Sequence, residues 1–331
     1  MGTYRIFGSE MSPYSVKVRS YFRFKGIPHE WIVRNQANAD EFRRYARLPL
    51  IPLVITPDGK GLQDSTPIIE AMEASHPEPA VHPADPTLRF LSALIEEYGD
   101  EWGNKHMFHY RWHYEPDQRS AAERIVRSTL VGAGEAEIAA AAKSVRERMV
   151  PRLGFVGSSP ETKDQIEASF HRCLALLERH LAGRPFLFGT RPVFADFGLF
   201  AQFYQAATDP TAGALMRNTA PKVLAWTTRM LEPQPTGEIE RWESLASTLK
   251  PLLKDEIGAL FLPWSTANAA ALAADQKNFA VELDGRTFSQ EPQKYHARSL
   301  ADLKARYAVV AERQKLDAIL NEAGCLRWLQ S

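Results

Sequence analysis

The stretch Met11-Ser12-Pro13-Tyr14-Ser15 decides the fold. An apolar run, Tyr4-Arg5-Ile6-Phe7, precedes it and reads as a β-strand. Val16 to Lys25 follows and reads as a helix closed by Gly26, a good C-cap. Ser12 therefore stands where a strand hands over to a helix, with Pro13 in the first turn, where its missing N–H costs nothing. The start of such a helix presents free backbone N–H groups and the positive end of a dipole. That suits an anion, a thiolate included.

His29 to Val33 reads as a second strand and Asp40 to Arg47 as a helix. Leu48-Pro49-Leu50-Ile51-Pro52-Leu53-Val54-Ile55 reads as an apolar strand with a proline inside, Asp58-Gly59 as a turn, and Gly61-Leu62-Gln63 as a short returning strand. Asp64-Ser65-Thr66-Pro67 opens a helix through Ser75. The order βαβαββα over residues 1–80 predicts a small α/β domain. A proline within a strand marks either an edge or a turn. At Pro52 the second reading is a cis-proline turn that exposes the backbone of Ile51 to a peptide-like ligand.

Residues 77–86 hold four prolines and read as a linker. Beyond it the helical period dominates. Thr87 to Trp112, with a break near Gly99 or Gly103, Gln118 to Val150, Thr162 to Leu181, Pro192 to Ala207 and Ala220 to Met230 make an all-helical second domain over residues 87–232. Residues 233–331 form a mostly helical extension. Helices are expected over Glu238 to Lys254, Pro263 to Lys277 and Leu300 to Ala323. A β-hairpin is expected from Phe279 to Ser289, turning at Asp284-Gly285 as a type I′ turn.

The 331 residues are 44% hydrophobic and 24% charged, with 40 basic and 40 acidic side chains. That balance offers no electrostatic case for nucleic acid or an anionic membrane. No apolar run reaches the roughly 20 residues of a membrane span, and a cytoplasmic protein is the plain reading. Two cysteines, Cys173 and Cys325, make neither a disulfide framework nor a multi-cysteine zinc site. Cys173 reads as core, and Cys325 as accessible but not catalytic.

The βαβαββα unit carrying Ser12-Pro13-Tyr14-Ser15, the Ile51-Pro52 pair and Asp64-Ser65 resembles the thioredoxin-fold half of the glutathione S-transferases. Phe188 to Phe197 and Ala220 to Trp226 resemble segments of that family's helical domain, so the resemblance covers about residues 4–230 and stops before the extension. Serine stands at both positions, Ser12 and Ser15, where redox relatives carry Cys-x-x-Cys, which removes protein dithiol chemistry from this site. The segment before Pro52 lacks the family's frequent Asn-Pro pair; Ala46-Arg47 stands there.

The resemblance implies a detoxifying transferase of serine type, a homodimer, that uses glutathione as co-substrate and no metal. Ser12 would donate a hydrogen bond to the glutathione sulfur, with Tyr14 beside it. Ile51 and Pro52 would pair the cysteinyl backbone, and Asp64 and Ser65 would hold the γ-glutamyl ammonium and carboxylate. Arg47 would meet the glycyl carboxylate. Each residue also has a plain structural reading: Ser12 and Asp64-Ser65 as helix caps, Arg47 as a solvated charge. Trp102, His106 and Tyr110 recur at helical spacing and share a face, either a pocket for a small hydrophobic electrophile or a core stripe. His106, His109 and His113 fall at i, i+3 and i+7 and could share one face, but a helical zinc site usually offers two ligands at i and i+4 with a third from elsewhere, so no metal is expected. Asp196 belongs to the first turn of its helix and has a folding role. The extension is expected to lie partly over the cleft. Glutathione-dependent isomerisation or dehalogenation, and a non-catalytic binding or scaffolding role, are the alternatives.

Overall fold

A computed structural model describes residues 2–330. The first domain consists of β1 (Tyr4–Gly8), α1 (Pro13–Phe24), β2 (His29–Val33), α2 (Ala39–Tyr45), β3 (Leu53–Ile55), β4 (Gly61–Gln63) and α3 (Ser65–Ser75). The sheet order is β2-β1-β3-β4. β1 and β2 run parallel because α1 carries the chain back between them; β3 pairs antiparallel with β1 and with β4. Strand alternation splits the sheet between two cores. Phe7, Leu53 and Ile55 meet Phe42 of α2 on one face, and Ile6 and Val54 join Val16, Ile68 and Ile69 on the other.

The apolar run 48–55 forms a strand only from Leu53. The Ile51–Pro52 peptide is cis, and the carbonyls of Leu48 and Leu50 accept hydrogen bonds from Gln63 Nε2 at 2.8 Å each rather than from a neighbouring strand. The turn reading of Pro52 is the one observed.

The helical domain comprises α4 (Pro86–Tyr98), a π-helical turn (Gly99–Gly103), α5 (Asn104–His113), α6 (Glu115–Thr129), α7 (Glu135–Met149), a 3₁₀ segment (Val150–Val156), α8 (Lys163–His180), α9 (Phe194–Thr208), α10 (Pro210–Thr219) and α11 (Pro221–Arg229). The expected break near Gly99 is a π-turn that keeps the helix continuous. The expected helix from Gln118 to Val150 is two helices, parted at Gly132, whose φ is +86°. α9 is the buried axis, packed on α1, α4, α5, α10 and α11. Asp196 fixes its start by accepting from the amides of Val193 and Leu187 and from Trp226 Nε1, each at 2.9 Å. Burial pushes its carboxyl up to about 6 against those three donors.

In the extension, α12 (Trp242–Leu252), a π-helical stretch (Leu253–Phe261) and α13 (Leu262–Ala273) form one rod where two helices are expected. The proline at 251 is absorbed by the π register that follows it. The hairpin β5 (Phe279–Leu283) and β6 (Arg286–Gln290) is as expected, with Asp284 at φ +50° and Gly285 at φ +70°, as a type I′ turn requires. The helix expected from Leu300 to Ala323 is instead α14 (Lys294–Ala308) and α15 (Gln314–Glu322), followed by α16 (Leu326–Gln330). Ile257, Phe261, Trp264, Phe288 and Leu303 join the same core as the helical domain.

Candidate active site

Ser12 caps α1 with extended backbone geometry, and its Oγ accepts from the Ser15 amide at 3.2 Å. A hydroxyl that accepts this bond keeps its O–H free to donate, so capping and stabilising a thiolate are compatible roles. α1 has no acidic residue in its first turn, which leaves the positive end of its dipole uncompensated. The loop before it is pinned by the helical domain. Arg111 Nη1 donates to Met11 O at 2.9 Å, and Gln205 Nε2 donates to Glu10 O at 2.6 Å. Tyr14 lies next to Ser12 and donates its hydroxyl to Asp100 O at 3.0 Å.

The backbone of Ile51 precedes the cis peptide in the loop that leads to β3. One side chain shapes that loop. Gln63 Oε1 accepts from the amides of Arg47 and Leu48 while its Nε2 donates to the carbonyls of Leu48 and Leu50. Arg47 is exposed. Asp64 follows Gln63 with φ +77°, an unusual backbone state for a non-glycine residue and one associated with functional positions. Ser65 opens α3.

Beneath Ser65 lies a charged set that the sequence reading did not single out. Lys17 Nζ is fully buried and donates to Asp100 Oδ2 at 2.6 Å, to Thr66 Oγ1 at 2.9 Å and to Glu96 Oε1. Ser65 Oγ, in a residue 2% exposed, is 3.4 Å from both Lys17 Nζ and Asp100 Oδ2. One ammonium faces two carboxylates. Burial pushes the Asp100 carboxyl up to about 8, with Lys17 opposing and Glu96 reinforcing. The close approach that aims Glu96 at Lys17 depends on Gly198, where a Cβ would come within 2.6 Å of Glu96 Cγ. The legible trace of this set is the pair of acid doublets Glu96-Glu97 and Asp100-Glu101 in an apolar helix. Their partner Lys17 lies far away in sequence.

The extension reaches this region. Tyr295 OH donates to Asp64 Oδ1 at 3.1 Å, His296 Nδ1 meets Glu101 Oε2, and Arg306 Nη2 pairs with Glu70 Oε1 at 2.8 Å. Between α3, α4 and α14 lies a cavity of about 430 Å³ bordered by Asp64, Glu97, Asp100, Glu101, Tyr295 and Arg298, among others.

The aromatic face is core, and this corrects the pocket reading. Trp102 and His106 are 1% exposed and Tyr110 is 3% exposed. Trp102 Nε1 donates to Ser169 Oγ at 2.9 Å and His106 Nε2 meets the same oxygen at 2.8 Å, while Tyr110 packs on Phe170 at 4.9 Å. α8 and the extension close these side chains in, and the space that Trp102 borders, about 10 Å³, is too small for an electrophile. His109 bonds Ser158 and Glu167, and His113 stacks on His109 at 4.7 Å. Cys173 and Cys325 are both buried, so Cys325 is not accessible; its Sγ donates to Leu253 O at 3.4 Å, and burial pushes its thiol up to about 12.

Residues 11–75 match the glutathione S-transferase N-terminal domain and residues 160–229 match the glutathione S-transferase C-terminal domain. The two matches stand in the family's own order, N-terminal before C-terminal domain, and support the glutathione S-transferase superfamily for those two parts of the chain. Among solved structures it is similar to a glutathione S-transferase from Methylobacterium radiotolerans determined with glutathione sulfonate. That pair is 20% identical, covers 72% of this chain and 99% of the other, and has a TM-score of 0.43. It is also similar to the beta-etherase LigF of Sphingobium sp. strain SYK-6 (20% identical, covering 69% and 94%, TM-score 0.49). A third is a Tau class glutathione S-transferase from mango, Mangifera indica (19% identical, covering 75% and 98%, TM-score 0.42). No curated protein sequence matches the chain.

Proposed function

We propose that the chain is a glutathione transferase in which Ser12 stabilises the thiolate of bound glutathione. The free hydroxyl proton of Ser12, at an uncompensated helix N-terminus, carries this reading. A free thiol has a pKa of about 8.5. The Ser12 donor and the α1 dipole both favour the ionised form, and the thiol proton passes to solvent. The thiolate then forms a carbon–sulfur bond with a small hydrophobic electrophile, whose leaving group departs with the bonding pair. Ile51, held beside cis-Pro52, pairs the cysteinyl backbone as an added strand would. Asp64 takes the γ-glutamyl ammonium, the N–H of Ser65 at the start of α3 faces the γ-glutamyl end, and Arg47 is free to meet the glycyl carboxylate. The homodimer and the cytoplasmic setting implied by the family are part of the same proposal, the former checked by sedimentation.

Calorimetry with millimolar glutathione tests the reading first: an absence of binding overturns it. Ser12→Ala then removes one charge-assisted hydrogen bond. Turnover should fall by about 10- to 100-fold while affinity changes little. Unchanged turnover would take Ser12 out of the chemistry and leave the non-catalytic alternative standing.

A further inference from the structure

We propose that Arg298, in the C-terminal extension, holds the α-carboxylate of the γ-glutamyl unit. The cavity between α3, α4 and α14 would then be a site for an α-amino-acid zwitterion. This rests on the glutathione reading above and adds a recognition residue outside the two domains that match the family.

The cavity has two unlike walls. One is acidic, with Asp64 at the start of α3 and Glu97, Asp100 and Glu101 from α4 and its π-turn. Asp100 is 5% exposed, and its Oδ1 is buried without a hydrogen-bond partner; Glu97 Oε1 is likewise buried and unpartnered. Buried acceptors without donors are rare in folded proteins and call for a group that supplies N–H bonds. A primary ammonium supplies three.

The other wall is α14. It runs alongside α3 in the same direction, with Tyr295 on Asp64 and, further along, Arg306 on Glu70. Arg298 follows Tyr295 by three residues, so it shares the cavity face about one turn on from the Asp64 contact. Three cations approach this region, and two are already committed. Lys17 is buried under Ser65 between Glu96 and Asp100, and Arg306 is paired with Glu70. Among the described residues no carboxylate lies within ion-pair distance of Arg298, Asp302 on the next turn included. The Ser65 hydroxyl is turned inward to Lys17 and Asp100. An α-carboxylate placed here would find its planar, two-pronged donor in Arg298. At about 430 Å³ the cavity is within the size range of ligand sites.

The full chain is titrated calorimetrically with glutathione and with 4-aminobutyryl-cysteinyl-glycine, which lacks only the α-carboxylate. Wild type should prefer glutathione by about tenfold or more. Arg298→Ala should weaken glutathione by that factor and leave the decarboxylated analogue within twofold. Arg298→Lys should recover part of the loss. Arg298 is an exposed helix residue, and an unchanged melting curve for each variant checks the fold. If wild type binds glutathione and Arg298→Ala binds it equally, or loses both ligands equally, the assignment is overturned while the glutathione reading stands. If wild type binds no glutathione, both fall together.

Discussion

One nearly unbroken helical run, from Pro86 to His113, carries the acids Glu96, Glu97, Asp100 and Glu101 in its middle and the rings Trp102, His106 and Tyr110 just beyond. Apart from the partly exposed Glu97, both groups are buried, yet their polar atoms end differently. In the ring-bearing half Trp102 and His106 share Ser169, and Ser169 Oγ donates to Glu256 Oε2 at 2.5 Å, so the stripe is tied into the extension from within. In the acidic half Lys17 meets part of the demand, and the remaining acceptors of Asp100 and Glu97 border a cavity. Burial alone therefore does not separate core from site. What separates them is where the unmet atoms lie: His106 Nδ1 is also buried without a partner but does not border this cavity, whereas those of Asp100 and Glu97 belong to residues that do.

The largest effect that could break this contrast lies in the ring-bearing half. Trp102→Ala should cost about 3–5 kcal/mol of stability, as truncations of large buried aromatics do, and leave glutathione affinity of the folded protein within about twofold. Denaturant unfolding and calorimetry on the same sample check it. A conserved melting point with an altered electrophile preference would return Trp102 to a pocket.

Glu256 gives a second, pH-dependent handle on that half. Burial raises its carboxyl to about 7, against the pull of Arg172 and the hydroxyls of Ser169 and Tyr98. Below its ordinary value of 4.5 both folded and unfolded chains hold the proton and the contribution is fully present. As pH rises the unfolded chain loses that proton first, so stability falls until about pH 7 and levels off above it. The span corresponds to about 3 kcal/mol. Glu256→Gln should flatten the stability profile between those values. A profile as steep as wild type would mean that other groups set it.

The smallest effect probes the acidic half. Tyr295→Phe deletes a single donor to Asp64, in a contact between partly exposed residues. Glutathione affinity should shift by about 1 kcal/mol, or roughly fivefold, with stability nearly unchanged. The direction is informative: tighter binding means that the hydroxyl competes with the ligand ammonium for Asp64, and weaker binding means that it orients the carboxylate. No change at all would detach α14 from the site.

Local signatures made much of this legible. Ser12-Pro13 between a strand and a helix, the Pro52 turn, the Asp64-Ser65 helix start and the Asp284-Gly285 hairpin all depend on neighbours in sequence, and each is found where it is expected. The long-range parts were not legible. Nothing around Lys17 announces that its partners are Glu96 and Asp100, because helix packing alone brings α1 to α4. Tyr295 and Arg298 lie on an ordinary amphipathic helix. The break after α14 falls in Val309-Val310-Ala311-Glu312-Arg313, which has neither Gly nor Pro; Glu312 takes φ +51° there without a sequence signal. Conversely, two helices are expected where one rod is found: Pro251 lies inside α12, Pro263 in the first turn of α13, and the π-helical stretch Leu253–Phe261 joins them.

The contact between Tyr295 and Asp64 joins residues 231 positions apart. On a ribosome adding about 5–20 residues per second, Asp64 would leave the tunnel on the order of ten seconds or more before Tyr295 is made. Through that interval the sheet and α3 can already be folded while their acidic edge faces water. The final shape of that edge is thus set by a segment synthesised well after it, and a nascent chain displays an open form of it that the folded protein no longer has.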